Sequence, residues 1–243
     1  MLHTKWADLP NTSTCYSEPA VIDELDPNVF NALNTCNVLD MPIRLARDGT
    51  IALPMYLEQY RPIVDRVIEH ESWFADNNEH NMYITVDTRD ARPNKTQRRP
   101  GAHLDAYVPQ PDADETITHT YIAYSALPTE FFPEPFTIDR TLSCDQLLAS
   151  FDSQLDARAK ARNCTVSNLA HRYPPNLLLL LTPMVLHRAA INSTDQPVRR
   201  TFVKISVSKK KYNREGNTRN VLLDYDWVMV PRSTYSRNHP FTV

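Results

Sequence analysis

Runs of alternating β-branched, aliphatic and aromatic residues constrain the fold of this chain more than any other feature. They fall at 82–87, 102–108, 117–127, 136–138, 176–181, 185–190, 201–208 and 221–230. Successive side chains of a strand point to opposite faces, so such alternation makes one face of each strand apolar. Short strands following one another in this way predict two packed sheets, a jelly roll or another double-sheet barrel.

Helical periodicity precedes and interrupts the strands. Leu57, Tyr60, Ile63, Val64, Val67, Ile68 and Phe74 recur at three and four between 54 and 75, predicting an amphipathic helix started or interrupted at Pro62 that backs a sheet. A second helix is expected over 143–163, where Ser143 and Gln146 match a capping box and Leu147, Leu148, Phe151 and Leu155 form an apolar stripe. It reads as an insertion over the barrel, or as a lid. Residues 1–50 are rich in Asn, Asp, Pro and Thr, and are expected to be irregular apart from a short helix near 28–35. The chain is thus read as a single domain, 1–243, with a helical and irregular support at 1–80 and a jelly-roll core at 81–230.

Composition removes several function classes. With only three glycines against 19 prolines, a glycine-rich phosphate loop or a dinucleotide fold is disfavoured. A net charge of −3 does not favour nucleic acid or an anionic membrane. Cys15, Cys36, Cys144 and Cys164 are scattered without metal or redox spacing and read as reduced and structural. The N-terminus does not resemble a secretory signal, and the apolar run 177–181 is too short to span a bilayer, so a soluble cytoplasmic protein is expected, with no membrane partner. Arg89, Arg92, Lys95, Arg98 and Arg99, then Lys209, Lys210, Lys211 and Arg214, form basic clusters. They are solvated loop surface balanced by Asp87 and Asp90, or a rim that attracts an anionic substrate.

Against this background His103, Leu104 and Asp105 stand out. An HxD triplet arises by chance in about every second chain of this composition, so its surroundings decide its weight. Gly101 precedes it, alternation places it on a strand, and a second histidine, His187, lies on a later apolar run. Side chains at i and i+2 of a strand share a face, so His103 and Asp105 can reach one ion while Leu104 packs the other way. Two imidazoles and one carboxylate on one face of an octahedral ion leave three positions open. His119 reads instead as a satisfied core or surface histidine, His171 as loop surface, and Trp73 and Trp227 form no stacking platform for single-stranded nucleic acid.

These residues, with Pro197-Val198-Arg199-Arg200 after a turn at 192–197, resemble the Fe(II)/2-oxoglutarate-dependent dioxygenase superfamily over about 100–210. The resemblance implies a mainly β fold with flanking helices and a double-stranded β-helix (jelly-roll, cupin-like) core. It implies Fe(II) held by His103, Asp105 and His187, with O₂ and 2-oxoglutarate as co-substrates. The taurine-dioxygenase branch has a similar Pro-x-Arg-Arg run whose second arginine binds the co-substrate, which points to Arg200, with Arg199 as the alternative. If Arg200 faces the barrel interior, so do Phe202, Lys204 and Ser206, while Val203, Ile205 and Val207 face an outer apolar layer. Lys204 and Tyr107 are then candidate substrate contacts. Retention of Asp105 favours hydroxylation, desaturation or demethylation over halogenation. The expected substrate is a small polar or anionic, amino-acid-like molecule. A nucleobase or protein side chain is the alternative, as is a non-catalytic metal- or ligand-binding barrel.

Overall fold

The computed structural model describes residues 12–31, 36–46, 48–72, 79–98, 100–105 and 118–231. Its strands are β1 (Thr12–Cys15), β2 (Ala20–Glu24), β3 (Asn37–Arg44), β4 (Asn81–Ala91), β5 (His119–Tyr124), β6 (Glu130–Phe131), β7 (Phe136–Asp139), β8 (Leu177–Leu181), β9 (His187–Arg188) and β10 (Val198–Ser208). Its α-helices are α1 (Arg61–Glu71), α2 (Cys144–Ala161) and α3 (Val166–Leu169). The fold is mainly β with flanking helices. No helix among the described residues is long and apolar enough to cross a membrane.

The largest sheet has six strands in the order β2-β8-β5-β10-β4-β3, paired antiparallel throughout. Register explains its two faces. Val203 lies opposite Val86 and Ala123, and Ile205 opposite Ile84 and Tyr121, so these side chains share one side of the sheet. There they join Ile63, Val64 and Val67 of α1 in the main apolar core. Burying each such Val, Ile or Leu contributes about 1.5–3 kcal/mol, which is why the alternation of β10 holds its register. Pro62 sits in the first turn of α1, where a missing N–H costs nothing.

On the other side, Phe202 packs with Ile122, Tyr124, Leu179, Leu181, Phe131 and Val185. A second, smaller layer covers this side: β6 pairs with β9, and isolated bridges from His171 to Phe131 and from His103 to His187 widen it. The turn expected at 192–197 forms around buried Asn192, which accepts the Thr194 N–H and donates to the carbonyls of Ala91 and Gln196.

Beside this layer, β1 pairs with β7 and α2 packs against both that strand and the segments that carry Ala102, Leu104 and Leu186. The expected capping box is present, with Ser143 accepting the Gln146 N–H. At the other end, Asn163 takes a left-handed φ of 51°, and the bonds from Asn163 N to Lys160 O and from Cys164 N to Ala159 O close the helix in a Schellman pattern. Local chemistry therefore sets both ends of α2.

Four expectations are corrected. Residues 1–50 carry three strands, two of which extend the large sheet, because Val38, Met41 and Ile43 bury against α1 despite the polar composition around them. The 28–35 helix is a 3₁₀ turn at Pro27–Phe30, with residues 32–35 outside the described set. The 221–230 run forms turns and coil, with only Val230 bridging to Arg214. Its apolar side chains Val221, Leu222 and Val228 are exposed, so no second layer pins that alternation into a strand. The 102–108 run is not a strand over 102–105: His103 makes a single bridge and Asp105 lies in a turn.

Candidate metal centre

Gly101, at a φ of 94° that only glycine adopts comfortably, turns the chain into the first ligand segment. Ala102 donates its N–H to Asp152 Oδ1 of α2 at 3.0 Å, which ties that turn to the helix. His103 and His187 then face each other across a two-bond bridge, His103 N to His187 O at 2.9 Å and His187 N to His103 O at 3.1 Å. Backbone pairing between segments far apart in sequence thus brings the two imidazoles together, with ring centroids 4.5 Å apart.

Each imidazole is held by its other nitrogen. His103 Nδ1 lies 3.1 Å from Gly101 O and His187 Nδ1 lies 2.9 Å from Val185 O. A carbonyl can only accept, so both Nδ1 atoms carry the proton and both Nε2 atoms present a lone pair. Asp105 supplies the third group: its Oδ1 is 3.9 Å from His103 Nε2 and its Oδ2 is 3.8 Å from His187 Nε2. One ligand atom from each of the three residues lies within 4.8 Å of the others. Two neutral imidazoles and one carboxylate suit a divalent transition ion with open positions, and the fixed Nδ1 protons fit that use. Burial raises the Asp105 carboxyl, but the positive charges around it, His187 when protonated, Lys204, His103 when protonated and Arg98, outweigh it and hold the group well below the ordinary carboxylate range. Its oxygens are therefore charged without an added partner.

The triad opens into a cavity of about 560 Å³ whose far wall is the inner face of β10, where Arg200, Phe202 and Lys204 follow one another at a spacing of two. Arg200 is 2% exposed. Its Nε donates to Ala126 O at 2.9 Å, its Nη1 to Gln97 Oε1 and its Nη2 to Thr129 Oγ1 at 3.3 Å, while the guanidinium lies over the rings of Tyr124 and Phe202. No carboxylate among the described residues pairs with it. Burial, aided by Arg98, pushes its pKa down to about 10 against the opposing pull of Tyr124 and Asp87. Arg199 points the other way, with its side chain 50% exposed near Asp90 at 3.7 Å. Strand parity thus separates the two arginines.

Lys204 lines the same cavity, 3.4 Å from Asp40 Oδ1 of β3. From the basic clusters, Arg89, Arg98 and Arg214 also line it, although Arg89 is neutralised by Asp87. Tyr107 lies outside the described residues. His119 is a satisfied core histidine, its Nδ1 2.7 Å from Glu71.

Sequence reasoning missed Gln97, Thr129, Asp40 and Asp152, of which the first two lie on loops, the third on a bulge and the fourth on a helix. Their types are ordinary in such places, so only their convergence marks them. No residue of α2 lines the cavity; its Leu147, Phe151 and Leu155 pack with Ala102, Leu104 and Leu186, the neighbours of the two histidines. The helix is a back wall, which leaves the lid expectation without support.

No family model and no curated protein matches the chain. Among solved structures it is similar to EvdO2 from Micromonospora carbonacea var. aurantiaca complexed with 2-oxoglutarate, at 16% identity and a TM-score of 0.33, covering 64% of this chain and 60% of that one. It is also similar to a second crystal structure of EvdO2 from that organism, at 18% identity and a TM-score of 0.36, covering 62% of this chain and 64% of that one. The chain spans less than two thirds of the length of either structure. At these identities and scores the likeness carries neither fold nor chemistry to this protein.

Proposed function

We propose that this chain is an Fe(II)- and 2-oxoglutarate-dependent dioxygenase on a double-stranded β-helix, hydroxylating a small polar or anionic, amino-acid-like molecule. One observation carries the reading: three converging ligand atoms and a buried arginine lacking a carboxylate share one cavity. A metal alone would not call for the arginine. A dicarboxylic keto acid needs both, because one end chelates while the other requires a cation.

In this reading His103, Asp105 and His187 hold the iron and Arg200 takes the distal carboxylate of 2-oxoglutarate. Gln97 and Thr129 fix the guanidinium plane, so the anchor is oriented before the acid arrives. Tyr124 and Phe202 flank it and exclude water, which strengthens the charge pairing. When bound, iron, 2-oxoglutarate and O₂ supply the oxidising power, releasing succinate and CO₂ as the substrate is hydroxylated. A cavity of about 560 Å³ lies within the usual range for small-molecule sites, which favours such a substrate over a macromolecule.

The test is to add Fe(II) and 2-oxoglutarate to the purified protein without air. A weak visible charge-transfer band is expected, followed by succinate production when O₂ is admitted with a substrate panel. Absence of both would leave a barrel that binds metal or ligand without turnover.

A further inference from the structure

A bulge in β3 aims a carboxylate into the cavity. Val38 lies opposite Val86 and Met41 opposite Ile84, so Leu39 and Asp40 face the single residue Thr85. Asp40 takes a left-handed φ of 43°, which is unfavourable for a residue with a Cβ. Its surroundings lock this conformation: the Thr85 hydroxyl accepts the Asp40 N–H at 2.9 Å and donates to Asp40 Oδ1 at 3.0 Å. From the other side, Thr218 accepts the Leu39 N–H at 3.0 Å and donates its own N–H to Leu39 O at 2.8 Å. Bulges of this kind re-aim a side chain, and backbone strain of this kind clusters where function requires it.

The re-aimed carboxylate faces basic groups: Thr85 donates to its Oδ1, and Lys204 and Arg214 act on its charge. Lys204 Nζ stands 3.4 Å from Asp40 Oδ1, beyond the roughly 2.7–2.9 Å of a closed charged hydrogen bond, and feels Asp105 and Tyr212 at longer range. Both side chains line the cavity. Arg200 lies four residues back along the same strand face, about 13 Å away, so the pair occupies the end that the anchor does not.

We propose that Asp40 and Lys204 form a dipolar subsite for the zwitterionic head of the primary substrate, its ammonium on Asp40 and its carboxylate on Lys204. This rests on the dioxygenase reading and narrows its substrate class from polar or anionic to zwitterionic. A purely anionic head would meet Asp40 and Asp105. A purely cationic one would meet Lys204, Arg98 and Arg214. Adjacent charges of both signs satisfy both residues without leaving a buried charge unpaired.

The experiment is calorimetric titration, without air, of the full chain loaded with Fe(II) and 2-oxoglutarate. The probes are the common amino acids and, for each one that binds, its 2-hydroxy acid and its decarboxylated amine. At least one amino acid is expected to bind tenfold or more tightly than both analogues. Asp40→Asn should erase the preference over the hydroxy acid, and Lys204→Met the preference over the amine. These opposite signatures keep the test decisive if one variant fails to fold. Discrimination that survives both substitutions would overturn the proposal. So would a chain that binds 2-oxoglutarate but no amino acid, with the dioxygenase reading left standing. Failure of the unaltered protein to bind 2-oxoglutarate would overturn both.

Discussion

His103 and His187 are paired through their own backbones, each donating its N–H to the other's carbonyl at 2.9 and 3.1 Å. The spacing of the two imidazoles is therefore set by a β-bridge. His187→Ala should weaken binding of Co(II), a stand-in for Fe(II), by about 100-fold or more, since even outer-shell losses at metal sites cost 10–100-fold. Competition against a fluorescent chelator measures it. Unchanged affinity would rule out this triad as the metal site.

Arg200→Met should weaken 2-oxoglutarate binding by about 30-fold or more, roughly 2 kcal/mol, as expected for a buried charge that loses its partner. Arg199→Ala, on the exposed face, should change it by no more than about twofold. Without ligand, Arg200→Met should be as stable as the parent or more so, because an unpaired buried cation is costly. Titration calorimetry and urea denaturation report the two effects separately.

Asp152 does not line the cavity of the triad, yet it holds the Ala102 N–H that precedes His103. Asp152→Leu should lower Co(II) affinity about tenfold, while Asp152→Asn, which keeps an acceptor, should recover most of it. Equal affinities for the two variants would show that α2 does not position the ligand loop.

Phe151 is buried edge-to-face against Phe136, their ring centroids 5.5 Å apart. Phe151→Ala should destabilise the ligand-free protein by about 3–5 kcal/mol, and Ser143→Ala by about 1 kcal/mol through loss of the cap. Excising 143–163 should yield an unfolded chain, whereas removal of a lid would leave the fold intact. Urea denaturation and circular dichroism distinguish the two.

Glu130 lies on β6 opposite Arg188 of β9, and Arg188 and Arg172 grip its two oxygens. Burial raises its carboxyl, but Arg188 and Arg172 outweigh that and hold it below the ordinary value of 4.5. A depressed folded pKa means stabilisation that is complete above the unfolded value and lost as pH falls through the folded one. Stability should therefore decline below about pH 4.5, and Glu130→Gln should be less stable at neutral pH with a shallower acid decline. Denaturation midpoints between pH 3 and 7 measure both slopes.

Features that depend on near neighbours were legible in the sequence: the stripe and Pro62 start of α1, the Ser143 capping box, and the alternation of β10 that sends Arg200 inward and Val203 outward. Each is encoded within one or two turns of chain, so local periodicity and capping suffice. The 221–230 run shows the limit of that signal, because alternation becomes a strand only where a partner covers it. The bridge that joins His103 to His187, the bulge that turns Asp40 toward Lys204, and the Gln97 and Thr129 contacts that orient Arg200 were decided by the tertiary structure. They join groups separated by tens to more than a hundred residues, and their register is set by the packing of whole sheets.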